Sequence, residues 1–367
     1  MMHVLFPKIW KIRLKLSIKL LLLFLILYLT REINRIDTDE DISKSVWILY
    51  EGSYGNKLIN NRYYGWEYRS ESEKYQKIAP FQIPSVLYPE FGTYSSHDMS
   101  VLKYHVSLIK DLGIDSVIFS SNHDNHSEVT LEYLFQAANA YNISIGIQIN
   151  QYNNISSESL YSDIVNLIEK HGNKNNFLKL NNKYVIIIYE SFHIPFVFKT
   201  FQKLKENNYE VYLITTFHHM HSIGTLVEDG FDGLYSYFVT DSFTESSDMK
   251  KWPVISKSCS QRGISFFPTV GPGYNGDLYN DWADDLKQDR DNGEYYIKMW
   301  KNAISLNPRI VIINSFNNWK DGTSIEPAIN RTGYMMDQSN WANITNPSYY
   351  LHLTKKCIRQ FLSFQEI

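Results

Sequence analysis

The chain has 367 residues, 44% of them hydrophobic, and a formal net charge of −3 from 36 Lys+Arg against 39 Asp+Glu. That balance, with no long basic block, excludes an obvious nucleic-acid partner, and the length suffices for one large core or two modest ones. Cys259 and Cys357 offer no metal-ligand spacing and no disulfide framework, although a single bridge between them stays open in an oxidising lumen.

In chain order, the first element is a membrane signal. Lys8, Lys11, Arg13, Lys15 and Lys19 precede an unbroken apolar run over 20–29, and no acid appears before Glu32. Counting from Ile12 to Leu29 approaches the length of a bilayer span if Lys15 and Lys19 snorkel to the interface. A cleaved signal peptide is the alternative, but Thr30-Arg31-Glu32 offers no small-x-small cleavage site. The expectation is an uncleaved signal anchor and basic cytosolic tail over 1–31, single-pass type II, with the bulk of the chain lumenal. Residues 32–44 read as a lumenal stem. Asn125, Asn142, Asn154, Asn330 and Asn343 each begin a glycosylation triplet, which agrees with that side of the membrane.

From 45 to 367 the pattern is one of short apolar runs alternating with amphipathic stretches. The runs are 46–51, 116–121, 143–149, 184–189, 211–217, 234–238, 264–270 and 310–316. Most are continuously apolar, as in strands covered on both faces. Between them, 99–112, 131–141, 160–170, 196–206, 249–261 and 295–306 have helical periodicity; Asp98 or Ser96 caps the first and Gly113 closes it. Eight strands with intervening helices predict a (β/α)8 TIM barrel preceded by an N-terminal transmembrane helix. A doubly wound open sheet is the runner-up, weakened by the lack of a Gly-rich first turn. The long interval after the first strand predicts an extended loop, 57–94, over one end of the barrel.

In such barrels the chemistry sits at the C-terminal strand ends. Here these ends carry Tyr50-Glu51, Asn122-His123-Asp124, Asn150-Gln151-Tyr152, Glu190, His218-His219, Thr240-Asp241, Gly271-Pro-Gly-Tyr274 and the stretch 317–321. Amides, carboxyls and aromatic rings in that mixture suit a sugar, which offers hydroxyls at its edges and apolar faces. The high aromatic content (15%) has a plainer reading too, core packing and strand propensity. His218-His219-Met-His221 matches no standard zinc spacing, so no metal is expected. Gly271-Pro-Gly-Tyr274 reads as a close-approach turn presenting Tyr274. Tyr235 and Tyr237, two apart, share a face of their strand.

Four blocks in order then resemble the glycoprotein endo-α-1,2-mannosidase family (glycoside hydrolase family 99): Tyr88-Pro-Glu-Phe-Gly-Thr-Tyr-Ser-Ser-His-Asp98, Gly230-Phe-Asp-Gly-Leu-Tyr-Ser-Tyr-Phe238, Pro268-Thr-Val-Gly-Pro-Gly-Tyr274 and Ser315 through Ala328, with Tyr54-Gly55-Asn56 matching the first strand region. The resemblance implies a (β/α)8 barrel, a Golgi type II anchor, no cofactor, and endo-cleavage of an α-1,2-mannosidic bond in a glucosylated high-mannose N-glycan, with retention. It also implies where this chain departs. The family loop Phe-Asn-Glu-Trp-x-Glu-Gly-Thr reads Phe316-Asn-Asn-Trp-Lys-Asp-Gly-Thr323 here. Asn318 replaces the Glu that assists the substrate's 2-hydroxyl as base, and Asp321 replaces the acid/base Glu. An amide cannot take a proton at neutral pH, and the shorter acid changes reach. Ile149-Asn-Gln-Tyr152 puts Asn150 where the family has a Glu.

The expected site is therefore Asp321 and Asn318 as the catalytic pair, with Trp319, Asn317, Tyr50, Tyr54, Asn122, Asn150, Glu190, Tyr235, Tyr237 and Tyr274 as sugar contacts. Trp319 is equally well read as a loop anchor. Glu51 and Glu190 could each supply a relocated carboxylate, a salt-bridged rim acid being the plainer reading. Two functions follow: a Golgi hydrolase of N-glycans, or a catalytically silent lumenal glycan-binding relative.

Overall fold

The computed structural model describes residues 43–67, 79–275, 286–329 and 346–364. The expected anchor over 1–31 and nearly all of the stem over 32–44 lie outside the described residues. Among the described residues no helix is long and apolar enough to cross a membrane.

Eight parallel strands form the centre. They are β1 (Ser45–Glu51), β2 (Ser116–Ser121), β3 (Ser144–Ile149), β4 (Lys183–Ile188), β5 (Val211–Thr216), β6 (Gly233–Tyr235), β7 (Ser265–Phe267, continuing as Thr269–Val270) and β8 (Ile310–Ile313). Each pairs with the next in parallel register, from β1 through the first half of β7. The second half of β7 pairs with β8, and β8 pairs back with β1, so the ring closes. Pro268 divides β7 because it has no N–H to donate, yet its carbonyl still accepts from Ile312 N at 3.1 Å. Apolar side chains fill both strand faces, which is why the runs read as continuous rather than alternating.

Eight helices cover the ring: α1 (Met99–Leu112), α2 (Asn125–Asn139), α3 (Ser157–His171), α4 (Phe198–Glu206), α5 (Ile223–Asp229), α6 (Trp252–Gln261), α7 (Glu294–Ser305) and α8 (Tyr349–Ser363). Asp98 caps α1 by accepting from Ser100 N, and Gly113 ends it at φ 85°. Helix α2 starts six residues before its apolar pattern because Asp124 accepts from Ser127 N and fixes an earlier N-terminus. Two helices lie outside the six expected from the sequence. Helix α5 buries only Ile223 and Leu226, too few to show a period. Helix α8 carries a regular buried stripe, Tyr350, Leu351, Thr354, Cys357, Ile358 and Phe361, and is an addition to the expected set.

The long β1–α1 connection builds a second, smaller core. Tyr54, Trp66, Ile83, Val86, Leu87, Tyr88 and Tyr94 pack together with Val101, Trp319 and Ala328. Its strand Tyr88–Pro89 pairs antiparallel with Ala328–Ile329, which fastens this connection to the segment after β8. Cys259 and Cys357 are separate, buried free thiols, so the open possibility of a bridge is not realised. Burial pushes them up to about 12 and about 11.

Candidate active site

A cavity of about 760 Å³ opens at the C-terminal ends of the strands. Six of the expected residues line it: Asp321, Asn318, Tyr237, Tyr274, Asn122 and Asn150. Its wall also holds Glu51, Gln148, Tyr189, Arg62, Tyr64 and Lys320.

The segment after β8 is a tightly bonded loop. Asn318 N donates to Ser315 Oγ (2.8 Å), Thr323 N to the Asn318 carbonyl (3.2 Å), and Ser315 Oγ meets Thr323 Oγ1 at 2.8 Å. From below, the buried Arg290 guanidinium donates to the carbonyls of Gly322 (2.8 Å) and Ser324 (2.7 Å). The loop thereby holds the Asp321 carboxyl still. Asp321 Oδ2 accepts from Tyr237 Oη and from Asn318 Nδ2, both at 2.8 Å. Burial drives this carboxyl above its ordinary range, while Tyr237, the Lys320 charge and Asn318 pull against that rise. A carboxyl held so that protonation is favoured is what a general acid requires.

Asn314 Nδ2 donates to the Tyr237 carbonyl (2.7 Å), and Thr323 Oγ1 donates to Asn314 Oδ1 (3.2 Å). Strand end β6 and the β8 loop are thus one unit, and the Tyr237 ring stands edge-on to Tyr189 at 4.8 Å. Gly271 and Gly273 bring the β7 turn close in. A Cβ at the first would lie 2.4 Å from the Asn314 carbonyl oxygen and one at the second 2.6 Å from that of Gln288.

The opposite wall is a chain of amides. Tyr235 Oη donates to Gln148 Oε1, Gln148 Nε2 to Asn150 Oδ1 (2.9 Å), and Asn150 Nδ2 to Asn122 Oδ1 (2.9 Å). Each amide is oriented by the one before, so the wall presents hydrogen-bonding groups of fixed sense to a polar ligand. Gln148 was absent from the expected site. Its signal was a lone amide inside the apolar run 143–149.

Six other expected contacts lie elsewhere. Trp319 is only 2% exposed and sits in the smaller core, where Nε1 donates to Glu326 Oε2 at 3.0 Å. Its anchor reading is the one the geometry bears. Tyr54 stacks on Trp66 at 4.2 Å and donates to the Asn317 carbonyl at 2.9 Å. Asn317 faces inward and grips the backbone of Glu51, donating to its carbonyl at 2.9 Å and accepting from its N–H at 2.7 Å. Tyr50 meets His105 Nδ1 at 2.9 Å in the barrel core. Tyr235 is fully buried with its hydroxyl on Gln148 Oε1, and Glu190 stands outside the cavity, 3.5 Å from His218 and 3.7 Å from His193. Among the described residues no three His, Cys, Asp or Glu side chains converge in a way that could hold a metal ion.

Residues 41–363 match the glycosyl hydrolase family 99 sequence profile. The chain belongs to that family. Over 345 residues it is 27% identical to the glycoprotein endo-alpha-1,2-mannosidase of Mus musculus, covering 85% of this chain and 74% of the relative. With that of Xenopus laevis it shares 28% over 351 residues, covering 87% and 77%. Among solved structures, the GH99 endo-alpha-mannosidase from Bacteroides thetaiotaomicron superposes with a TM-score of 0.78 at 23% identity, covering 86% of this chain and 97% of that one. This supports the shared (β/α)8 fold. Family 99 membership makes this chain a glycoside-hydrolase relative that acts on glycans.

Proposed function

We propose that this family 99 chain is an endo-α-1,2-mannosidase-type hydrolase of N-linked glycans, with Asp321 as the acid that protonates the departing oxygen. One observation carries the reading: Asp321 lines the cavity with its carboxylate held by Tyr237 and Asn318 at 2.8 Å each. Asn318 then orients rather than titrates. It positions Asp321 through Nδ2 and offers its remaining hydrogen-bonding capacity to a sugar hydroxyl. Tyr237, Tyr274, Asn122 and Asn150 contact the sugar, Tyr237 and Tyr274 through their rings and the two amides at hydroxyl edges.

The basic, then apolar, N-terminal segment over 1–31 supports a Golgi membrane location, single-pass type II, with the stem over 32–44 and the barrel over 45–367 lumenal. The glycan-processing names of the curated relatives agree with such a compartment.

Loss of a carboxylate at Asn318 favours a second reading, a lumenal glycan-binding protein without turnover. A labelled glucosylated high-mannose glycan separates the two. The hydrolase releases a glucosylated mannose, and Asp321→Asn lowers that release by about 10²–10⁴-fold, as expected for loss of general acid catalysis. Saturable binding without release, unchanged in Asp321→Asn, establishes the binding protein instead.

A further inference from the structure

Glycosidic cleavage ordinarily uses two carboxyl groups flanking the bond, and the β8 loop supplies one. Besides Asp321, three carboxyl groups line the cavity: Glu51, Glu67 and Asp124. Asp124 is committed to structure. Its Oδ1 caps α2 by accepting from Ser127 N (2.7 Å), and its Oδ2 accepts from Tyr64 Oη (2.8 Å). Glu67 is exposed to solvent. Glu51 is half-buried at the end of β1, on the same cavity as Asp321.

The fold holds Glu51 in place in two ways. Asn317, one residue before the loop's Asn318, pins its backbone on both sides. Gly52 follows with no room for a side chain, since a Cβ there would lie 2.2 Å from the Phe119 ring, so the chain hugs β2. The Ser120 and Ser53 hydroxyls lie close enough to favour its ionised form. The charged and titratable groups around it are Lys320 and Asp321 from the β8 loop, Tyr54 from the β1–α1 connection, and Tyr235 and Tyr237 from the end of β6. Burial and Asp321 raise its proton affinity, whereas Lys320 and the two serines keep the ionised form within reach.

Resting on the hydrolase reading above, we infer that Glu51 is the catalytic base of this chain, the carboxylate that replaces the proton acceptor absent at Asn318. In the first step the sugar's 2-oxygen bonds to the anomeric carbon as the bond to the departing oxygen breaks. The 2-hydroxyl proton passes to Glu51 and the Asp321 proton to the departing oxygen. Water then adds at the anomeric carbon and gives its proton to Asp321, while the bond from the 2-oxygen opens and takes back the proton from Glu51. One water is consumed and both carboxyls return to their starting state.

The test follows release of glucosylated mannose from the labelled glycan by the full-length chain and by Glu51→Gln, Glu51→Asp and the double variant Glu51→Gln with Asn318→Glu. For Glu51→Gln the expected result is a loss of about 10²–10⁴-fold in kcat with KM within about threefold, and loss of the acidic limb of the pH profile. Glu51→Asp retains part of the turnover, and the double variant regains at least about tenfold because a carboxylate returns to the loop. Turnover by Glu51→Gln within about threefold of the parent overturns the assignment of Glu51 and leaves the hydrolase reading standing. So does a fall in melting temperature and a rise in KM that account for the loss without recovery in either other variant. A parent chain that releases nothing overturns the hydrolase reading beneath it.

Discussion

Neighbouring residues of one loop serve opposite sides of this molecule. Asn318 and Asp321 face the cavity, where they meet Tyr237 and each other. Trp319, between them, faces the smaller core, where Glu326 accepts from its indole at 3.0 Å and from Tyr94 Oη at 2.8 Å. Glu326 also stands 3.1 Å from His105 Nε2. One side is half-open and electrostatically tuned. The other is closed and aromatic, with Glu326 Oε2 accepting two hydrogen bonds. The contrast shows that precision at the cavity is generated on the buried side, where packing allows one arrangement.

The largest effect is expected from the buried side. Trp319→Ala removes a fully buried indole and leaves Glu326 Oε2 with Tyr94 Oη as its donor. A loss of about 3–5 kcal/mol in unfolding free energy is expected, read by denaturant titration. Glycan release should fall with it, because Asp321 loses its fixed position. If stability falls and release does not, the two sides of the loop are independent.

Asn150→Ala tests the amide wall. It cuts the chain from Gln148 to Asn122 and leaves both amides without their cavity-side partner. Of the two only Gln148 is buried, so glycan affinity should weaken by about tenfold or more, from that group losing a partner at about 1–3 kcal/mol, with melting little changed. Isothermal titration of the Asp321→Asn background with intact glycan reads this directly.

Tyr237→Phe is the finest probe. Its hydroxyl hydrogen bond stabilises the ionised form of Asp321 and opposes the rise that burial causes. Without it the carboxyl holds its proton to higher pH. A general acid works only while protonated, so the alkaline limb of the activity profile should move upward, by about one pH unit for a hydrogen bond of roughly 1.4 kcal/mol. A downward shift would mean that Tyr237 acts on a different group.

Much of the fold was legible because its causes are local or periodic. Eight apolar runs marked the strands, and α1 began and ended at Asp98 and Gly113 as the cap chemistry requires. The helix α5 was not legible, since seven residues with two buried positions carry no measurable period. The site divided in the same way. The polar tails of the strands were readable, and Asp321, Asn318, Asn122, Asn150, Tyr237 and Tyr274 do meet at one cavity. Which aromatic rings face that cavity was not readable, because Tyr54, Trp319 and Tyr235 have the right composition and differ only in depth and direction.

The order of chemistry along the chain, the amide at 318, the acid at 321 and the kinship with family 99 belong to the sequence itself. The tertiary structure alone decided that Trp319 turns inward, that Asn317 fastens the end of β1, and that Glu51 shares a cavity with an acid 270 positions away. Those outcomes depend on ring closure, which brings β1 beside β8 and joins segments that no local pattern connects.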